Sequence, residues 1–148
     1  MKQPKDETVT QIAVVVADIE RACEHYAAVF GIEKPAWFLT EEADESQIRY
    51  RGQPTPARAK LAFVEFANLT LELIEPVDGP SIWRDHLERC GDSVHHIAFG
   101  VKGMQQAVDE YEARGVPMVQ KGEYPGGRYA YLAAADKLGM DIELLESA

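Results

Sequence analysis

Four polar side chains interrupt runs that otherwise read as apolar strands: Gln11 among Val9, Ile12 and Ala13, Glu72 between Leu71 and Leu73, His96 before Ile97, and Glu143 between Ile142 and Leu144. A carboxylate in the middle of a buried strand is costly unless something neutralises it. Two carboxylates, one imidazole nitrogen and one neutral amide oxygen form a donor set suited to a divalent cation. Without a cation, two converging carboxylates cannot both ionise easily. One then keeps its proton to higher pH and becomes a metal-free general base. A second chemical feature is a basic cluster, Arg49, Arg51, Arg58 and Lys60, with no acid between Glu45 and Glu65. It reads either as a solvated basic loop or as a clamp for an anionic substrate group such as a carboxylate or phosphate. Arg128, at the end of Pro125-Gly126-Gly127-Arg128, is a further substrate-binding candidate in a segment that reads as a hairpin connection.

The four residues gain meaning from a repeat. The segment beginning Val9-Thr10-Gln11-Ile12-Ala13 returns 85 positions later as Val94-His95-His96-Ile97-Ala98, and from residue 9 to 28 seven of twenty aligned positions are identical. Leu71-Glu72-Leu73-Ile74-Glu75 echoes as Ile142-Glu143-Leu144-Leu145-Glu146 at an offset of 71. Gln11 therefore corresponds to His96, and Glu72 to Glu143. A duplicated unit that cannot close alone pairs with its copy, and the seam between copies is a natural place for a site.

Each copy opens with a β-branched strand and continues into a helix. In the first, Asp18 is the N-cap, Ile19, Ala22, Cys23 and Tyr26 keep helical spacing, and Gly31 stops the run. In the second, Met104, Ala107, Val108 and Tyr111 share a face and Gly115 ends it. Further strands are expected at residues 36–40, 48–51, 60–66 and 69–75, then at 117–120, 129–133 and 141–145. An irregular loop around Pro54-Thr55-Pro56 holds the extra 14 residues implied by the two offsets. The fold class is α+β, with two tandem βαβββ modules forming a curled mixed sheet with a central cleft. One domain spans 1–148, with module one at about 8–76, a linker helix at about 80–91 and module two at about 93–146. Alternation places Gln11, Ala13 and Val15 on one face, and His96, Ala98 and Gly100 on the corresponding one. His95 then points away from His96 and reads as a packed or surface histidine. Trp37 and Phe38 could line the cleft.

Composition excludes several classes. A net charge of −10 argues against a nucleic-acid partner. No apolar run approaches the roughly 20 residues of a membrane span, and the polar start lacks a secretory leader. Two cysteines, Cys23 and Cys90, are too far from metal-type spacing to be ligands and read as reduced thiols of a cytoplasmic protein.

These segments resemble the vicinal oxygen chelate superfamily, which includes glyoxalase I, methylmalonyl-CoA epimerase, fosfomycin-resistance transferases, extradiol dioxygenases and bleomycin-binding proteins. The resemblance runs from Val9 to Leu145 and leans toward the epimerase and glyoxalase branch. It is carried by Gln11-Ile12-Ala13-Val14, Leu71-Glu72-Leu73-Ile74-Glu75-Pro76, Val94-His95-His96-Ile97-Ala98-Phe99 and Asp141-Ile142-Glu143-Leu144. It implies a metal held by Gln11, Glu72, His96 and Glu143, drawn from the first and last strand of each unit. Gln11 departs from the family's usual histidine. With one nitrogen donor left, the ion (Mn, Co, Ni, Zn or Mg) shifts toward the harder Mn²⁺ and Mg²⁺. The implied activity is that of a metal-dependent isomerase (epimerase) or lyase, removing a proton next to a carbonyl or thioester. Glu143 is the first candidate base and Glu72 the second. Glu65 lies in the region where epimerases keep another carboxylate. The alternative is a non-catalytic small-molecule binding protein of the bleomycin-resistance type. An iron-dependent dioxygenase is disfavoured, because Gln11 removes one of its two histidines. The expected assembly is a homodimer.

Overall fold

The two long helices begin in the same way, and the shared device explains the repeated glutamates. Asp18 caps the first helix, its side chain accepting from Arg21 N, and Gly31 ends it in the left-handed region. Glu75 adds a second cap by accepting from Ile19 N at 2.8 Å. The helix of the second copy starts at Gly103, which has no capping side chain. Glu146, the counterpart of Glu75, instead accepts from both Gly103 N and Met104 N, at 2.7 and 2.9 Å. Carboxylates at helix N-termini satisfy orphan amides and oppose the helix dipole.

The computed structural model describes residues 7–148; most of the polar start read above for the lack of a leader lies outside the described residues. In chain order the elements are β1 (Val9–Val15), α1 (Ile19–Phe30), β2 (Trp37–Leu39), α2 (Ala43–Ser46), β3 (Arg49–Tyr50), β4 (Gln53–Pro54), β5 (Arg58–Glu65) and β6 (Thr70–Val77). They continue with α3 (Ile82–Cys90), β7 (Ser93–Gly100), α4 (Met104–Ala113), β8 (Met118–Tyr124), β9 (Gly127–Leu132), α5 (Ala135–Leu138) and β10 (Asp141–Ser147). Among the described residues no helix is long and apolar enough to cross a membrane.

All ten strands form one curled sheet in the order β2-β5-β6-β1-β7-β10-β9-β8-β3-β4. Each module repeats one pattern: β1 lies parallel to β6 and β7 parallel to β10, while β1 and β7 join the modules antiparallel within the chain. The expected α+β fold with a curled mixed sheet is therefore present. The extra loop residues do more than bridge. They form α2 and the β3–β4 hairpin, and β3 leaves its own module to extend the other one, with Arg49 opposite Lys121 and Tyr50 opposite Gln120.

Helices α1 and α4 cover the outer faces. Ile19, Ala22 and Cys23 pack on Val16, Ala62 and Leu73, and Val108 packs on Ala130, Leu132, Ile142 and Leu144. The inner face carries Ala13, Val15, Ile74 and Tyr131, closed over by Ile82 and Trp83 of α3. Burial of this kind contributes roughly 25 cal/mol per Å² of apolar surface, so all three clusters hold the sheet's curvature.

Candidate functional site

Register brings the polar residues to one level of the inner face. Ala13 of β1 is the partner of both Glu72 on β6 and His96 on β7, and Ala98 of β7 is the partner of Glu143 on β10. Ala13 and Ala98 are wholly buried and small. Their methyl groups leave the space into which the longer polar side chains lean. The alternation expected for β6 and β10 holds, since Leu71 and Leu73 face α1, and Ile142 and Leu144 face α4.

One donor atom from each of Glu72, His96 and Glu143 lies within 4.8 Å of the others, and all three residues are buried. His96 Nε2 stands 3.2 Å from Glu143 Oε1 and 3.6 Å from Glu72 Oε1. Neither approach has hydrogen-bond geometry, so Nε2 is a buried ring nitrogen without a partner. Gln11 lines the same cavity as Glu72 and Glu143.

His95 departs from the expected alternation. The β1–β7 register passes from Ala13↔His96 to Val14↔Val94, a bulge that leaves His95 as the extra residue. A bulge re-aims a side chain that a regular pleat would turn away. His95 is accordingly only 1% exposed, its Nδ1 is 2.8 Å from His96 Nδ1, and its Nε2 is 3.2 Å from Asp141 Oδ2. Asp141 is anchored in turn, its Oδ1 accepting from Ala134 N at 2.9 Å and Ala135 N at 3.0 Å.

Burial dominates the electrostatics. It pushes Glu72 well above the usual carboxylate range, helped by the charge of Glu143. It raises Glu143 to about 8, against a smaller opposing effect of the Tyr131 hydroxyl. The same desolvation lowers His96 to about 3 and His95 to about 4, so both rings are neutral near pH 7. For Asp141, burial acts upward, but the adjacent His95 ring and hydrogen bonds from the two amides outweigh it and hold the carboxyl below its ordinary value. Two carboxyl groups that resist ionisation and a neutral, unpartnered imidazole nitrogen are what a divalent cation would satisfy at once. The residues present fit such an ion.

The cavity in front of the carboxylates has a volume of about 440 Å³. Phe38, Leu61, Phe63 and Tyr124 give it apolar walls, and Trp83 donates from Nε1 to the Tyr131 hydroxyl behind it at 3.1 Å. Such a mixture of apolar walls and a few convergent polar groups is typical of small-molecule sites. Glu41, in the β2–α2 connection, also lines it. Nothing in the sequence singled out Glu41, because it follows a short strand in an acidic stretch without repeat partners. Glu65 is exposed at the end of β5, where it accepts from Thr70 Oγ1.

The structure does not gather the arginines around this cavity. Arg58 is held by the Thr40 carbonyl at 2.9 and 2.7 Å, and Arg51 turns to Asp85. Arg49 and Arg128 border a separate space of about 450 Å³ that Met104 and Val108 of α4 also line. Arg128 is 3.7 Å from each of Glu123 and Glu146. The basic stretch disperses because β3 is pulled to β8 while β5 stays in module one. The Pro125-Gly126 segment is a two-residue hairpin turn with Gly126 at φ 98, and its Tyr124 and Pro125 form part of the cavity wall. Phe38 reaches the cavity, whereas Trp37 pairs with Glu20 outside it.

Comparison with known proteins agrees with this architecture. Residues 10–132 match the family described as Glyoxalase/Bleomycin resistance protein/Dioxygenase superfamily. The uncharacterized protein YqjC of Bacillus subtilis (strain 168) is 26% identical over 140 residues, covering 91% of this chain and 89% of that protein. The crystal structure of methylmalonyl-CoA epimerase from Mycobacterium tuberculosis is similar with a TM-score of 0.62 at 22% identity, covering 95% of this chain and 88% of that one. A methylmalonyl-CoA epimerase in complex with methylmalonyl-CoA and NH4+ gives a TM-score of 0.63 at 23% identity, covering 96% and 95%. At these identities the solved structures speak for the fold, and the family match spans most of the chain. The chain belongs to the glyoxalase/bleomycin resistance/dioxygenase superfamily.

Proposed function

We propose that this protein is a divalent-metal-dependent isomerase of the epimerase type, or a lyase of the glyoxalase type, that moves a proton next to a carbonyl or thioester. The observation that carries this reading is the buried Glu72, His96 and Glu143 cluster, with an unpartnered imidazole nitrogen between two carboxyl groups at the floor of a cavity. Glu72, His96 and Glu143, with Gln11 of β1 between β6 and β7, would hold the ion. When bound, the ion supplies electrostatic stabilisation for an oxyanion developing on the substrate carbonyl, worth several kcal/mol. Glu143 takes the proton from the adjacent carbon. Glu72 is the second candidate for that role. Stereochemical inversion needs another acid, and Glu41 fits that part: β2 is the far edge of the sheet, five positions from β10. Phe38, Phe63 and Tyr124 would offer the substrate an apolar wall. Within the same reading the chain is one domain, works as a homodimer and resides in the cytoplasm, in keeping with its free cysteines.

The test is α-carbon deuterium uptake into methylmalonyl-CoA by manganese-loaded protein. Uptake that disappears on chelation supports the assignment, and no uptake by metal-replete protein removes this substrate. Gln11 favours a second reading, a non-catalytic small-molecule binding protein, since an amide is a weaker metal donor than imidazole. Failure to bind Mn²⁺, Mg²⁺, Co²⁺, Ni²⁺ or Zn²⁺ in calorimetry would decide for it.

A further inference from the structure

The two adjacent histidines of β7 are tied together by their ring nitrogens, and that tie restricts where their protons can be. A neutral imidazole carries one N–H and one bare nitrogen. His95 Nδ1 and His96 Nδ1 lie 2.8 Å apart with both rings buried, so one proton sits between them. Two arrangements satisfy this contact. Either His95 donates and His96 carries its proton on Nε2, facing the carboxyl groups, or His96 donates and its Nε2 is bare.

The outer end of the pair breaks the tie. His95 Nε2 faces Asp141 Oδ2 at 3.2 Å, a charge contact without hydrogen-bond geometry. Asp141 is fixed as an acceptor by Ala134 N and Ala135 N, both donating to Oδ1. A carboxylate oriented in that way calls for a proton on His95 Nε2. His95 Nδ1 is then bare and accepts from His96 Nδ1, which leaves His96 Nε2 bare. His96 Nε2 at the inner end also lacks hydrogen-bond geometry to either glutamate, so the fixed acceptor role of Asp141 is what decides between the two arrangements.

We propose that Asp141 and His95 are positioning residues that fix the tautomer of His96, through the chain Asp141–His95–His96, so that its Nε2 lone pair is presented to a cation between Glu72 and Glu143. The inference rests on the metal-site reading for its purpose, but the tautomer itself is a property of the metal-free protein. Carboxylate support behind a ligating histidine usually governs metal affinity by about 10–100-fold. Here the carboxylate acts at one remove, through a second imidazole that only a β-bulge brings into line. His86 packs edge-on against His95 with ring centroids 4.9 Å apart and pairs with Ser93 Oγ, so it does not compete for either bridging nitrogen.

Asp141→Asn tests this without changing shape. If the amide oxygen keeps the two backbone donors, its NH₂ takes the place of Oδ2 and donates to His95 Nε2. Every proton in the chain then shifts by one position, and His96 carries its proton on Nε2. Ring ¹⁵N shifts of the metal-free protein, read through long-range ¹H–¹⁵N correlations, should show His96 bare at Nε2 in the wild type and protonated there in Asp141→Asn. Mn²⁺ affinity by calorimetry should fall by about 10–100-fold in the variant while its melting temperature stays near that of the wild type. His95→Asn, whose amide oxygen can stand where Nδ1 stood, should keep the wild-type His96 tautomer and much of the affinity. A wild-type His96 protonated at Nε2 overturns the proposal, and so does a folded Asp141→Asn with an unchanged tautomer or unchanged affinity. If Asp141→Asn does not fold, the wild-type shifts and His95→Asn decide. If the wild type binds no metal yet shows Nε2 bare, the metal reading fails and the relay stands.

Discussion

The two modules superpose in pattern and differ in what lies behind the matched polar residues Gln11 and His96 of their inner face. In module two, His96 is backed by His95 and Asp141, a buried polar chain running from the cavity to the backbone amides of α5. The corresponding positions in module one are Gln11, Thr10 and Thr70. Thr10 donates to the Ala98 carbonyl and Thr70 to Glu65, both away from the cavity. Both halves supply a glutamate, Glu72 and Glu143, from matched strands. Duplication thus kept the carboxylates in both copies, while the nitrogen donor and its support occur in one. An unsupported amide and a supported imidazole at equivalent places make the site one-sided.

Breaking the carboxylate symmetry should have the largest effect. Glu143→Gln is expected to slow α-carbon exchange by about 10²–10⁴-fold, the usual contribution of a positioned base. Deuterium uptake followed by mass spectrometry checks it. If Glu72→Gln shows the greater loss instead, the base belongs to module one. Making the nitrogen positions alike by removal comes next. His96→Gln should weaken Mn²⁺ binding at least about 100-fold, or about 2.7 kcal/mol, in calorimetry. An unchanged affinity would mean that the two carboxylates hold the ion without it.

The pH dependence of stability measures both carboxyl groups together. In the metal-free folded protein Glu143 keeps its proton up to about 8, whereas the unfolded chain gives it up near the ordinary value of 4.5. Between those values the folded state binds more protons, so stability falls as pH rises. His95 and His96, lowered to about 4 and about 3, act in the opposite sense below the ordinary imidazole value of 6.5. The window from 6.5 to about 8 therefore belongs to the carboxyl groups, and Glu143 alone should lower stability there by about 2 kcal/mol, with Glu72 acting in the same direction. Urea denaturation across this range would show the decline, and Mn²⁺ should flatten it. Making the halves alike by addition is the smallest change. Gln11→His should raise Zn²⁺ affinity on the order of tenfold, about 1.4 kcal/mol. Its gain stays below the loss in His96→Gln, because Thr10 and Thr70 leave a new imidazole unsupported.

Much of this was legible in the residues alone. The repeat at offsets of 85 and 71 determined the duplicated fold, and period-two alternation put Glu72, Glu143 and His96 on the inner face. These signals are local: a pleated strand turns every second side chain the same way wherever it is placed. His95 is packed, as one of its two readings had it, but its turn toward His96 and the place of Arg49 were hidden for one shared reason. The bulge that swings His95 beside His96 depends on how β7 pairs with β1. The departure of Arg49 from the cavity depends on β3 finding the edge of β8. Glu41 became visible only when β2 docked on β5 and closed a wall of the cavity.

The sequence by itself determined the two-module architecture, the chemical types of the donors and the strands that carry them, because composition and periodicity act within a few residues. Tertiary structure alone decided which groups stand behind those donors and which charges reach the cavity. Strand register, bulges and edge pairing join segments up to 90 residues apart, as Val9 and Phe99 are, and no local pattern encodes that pairing.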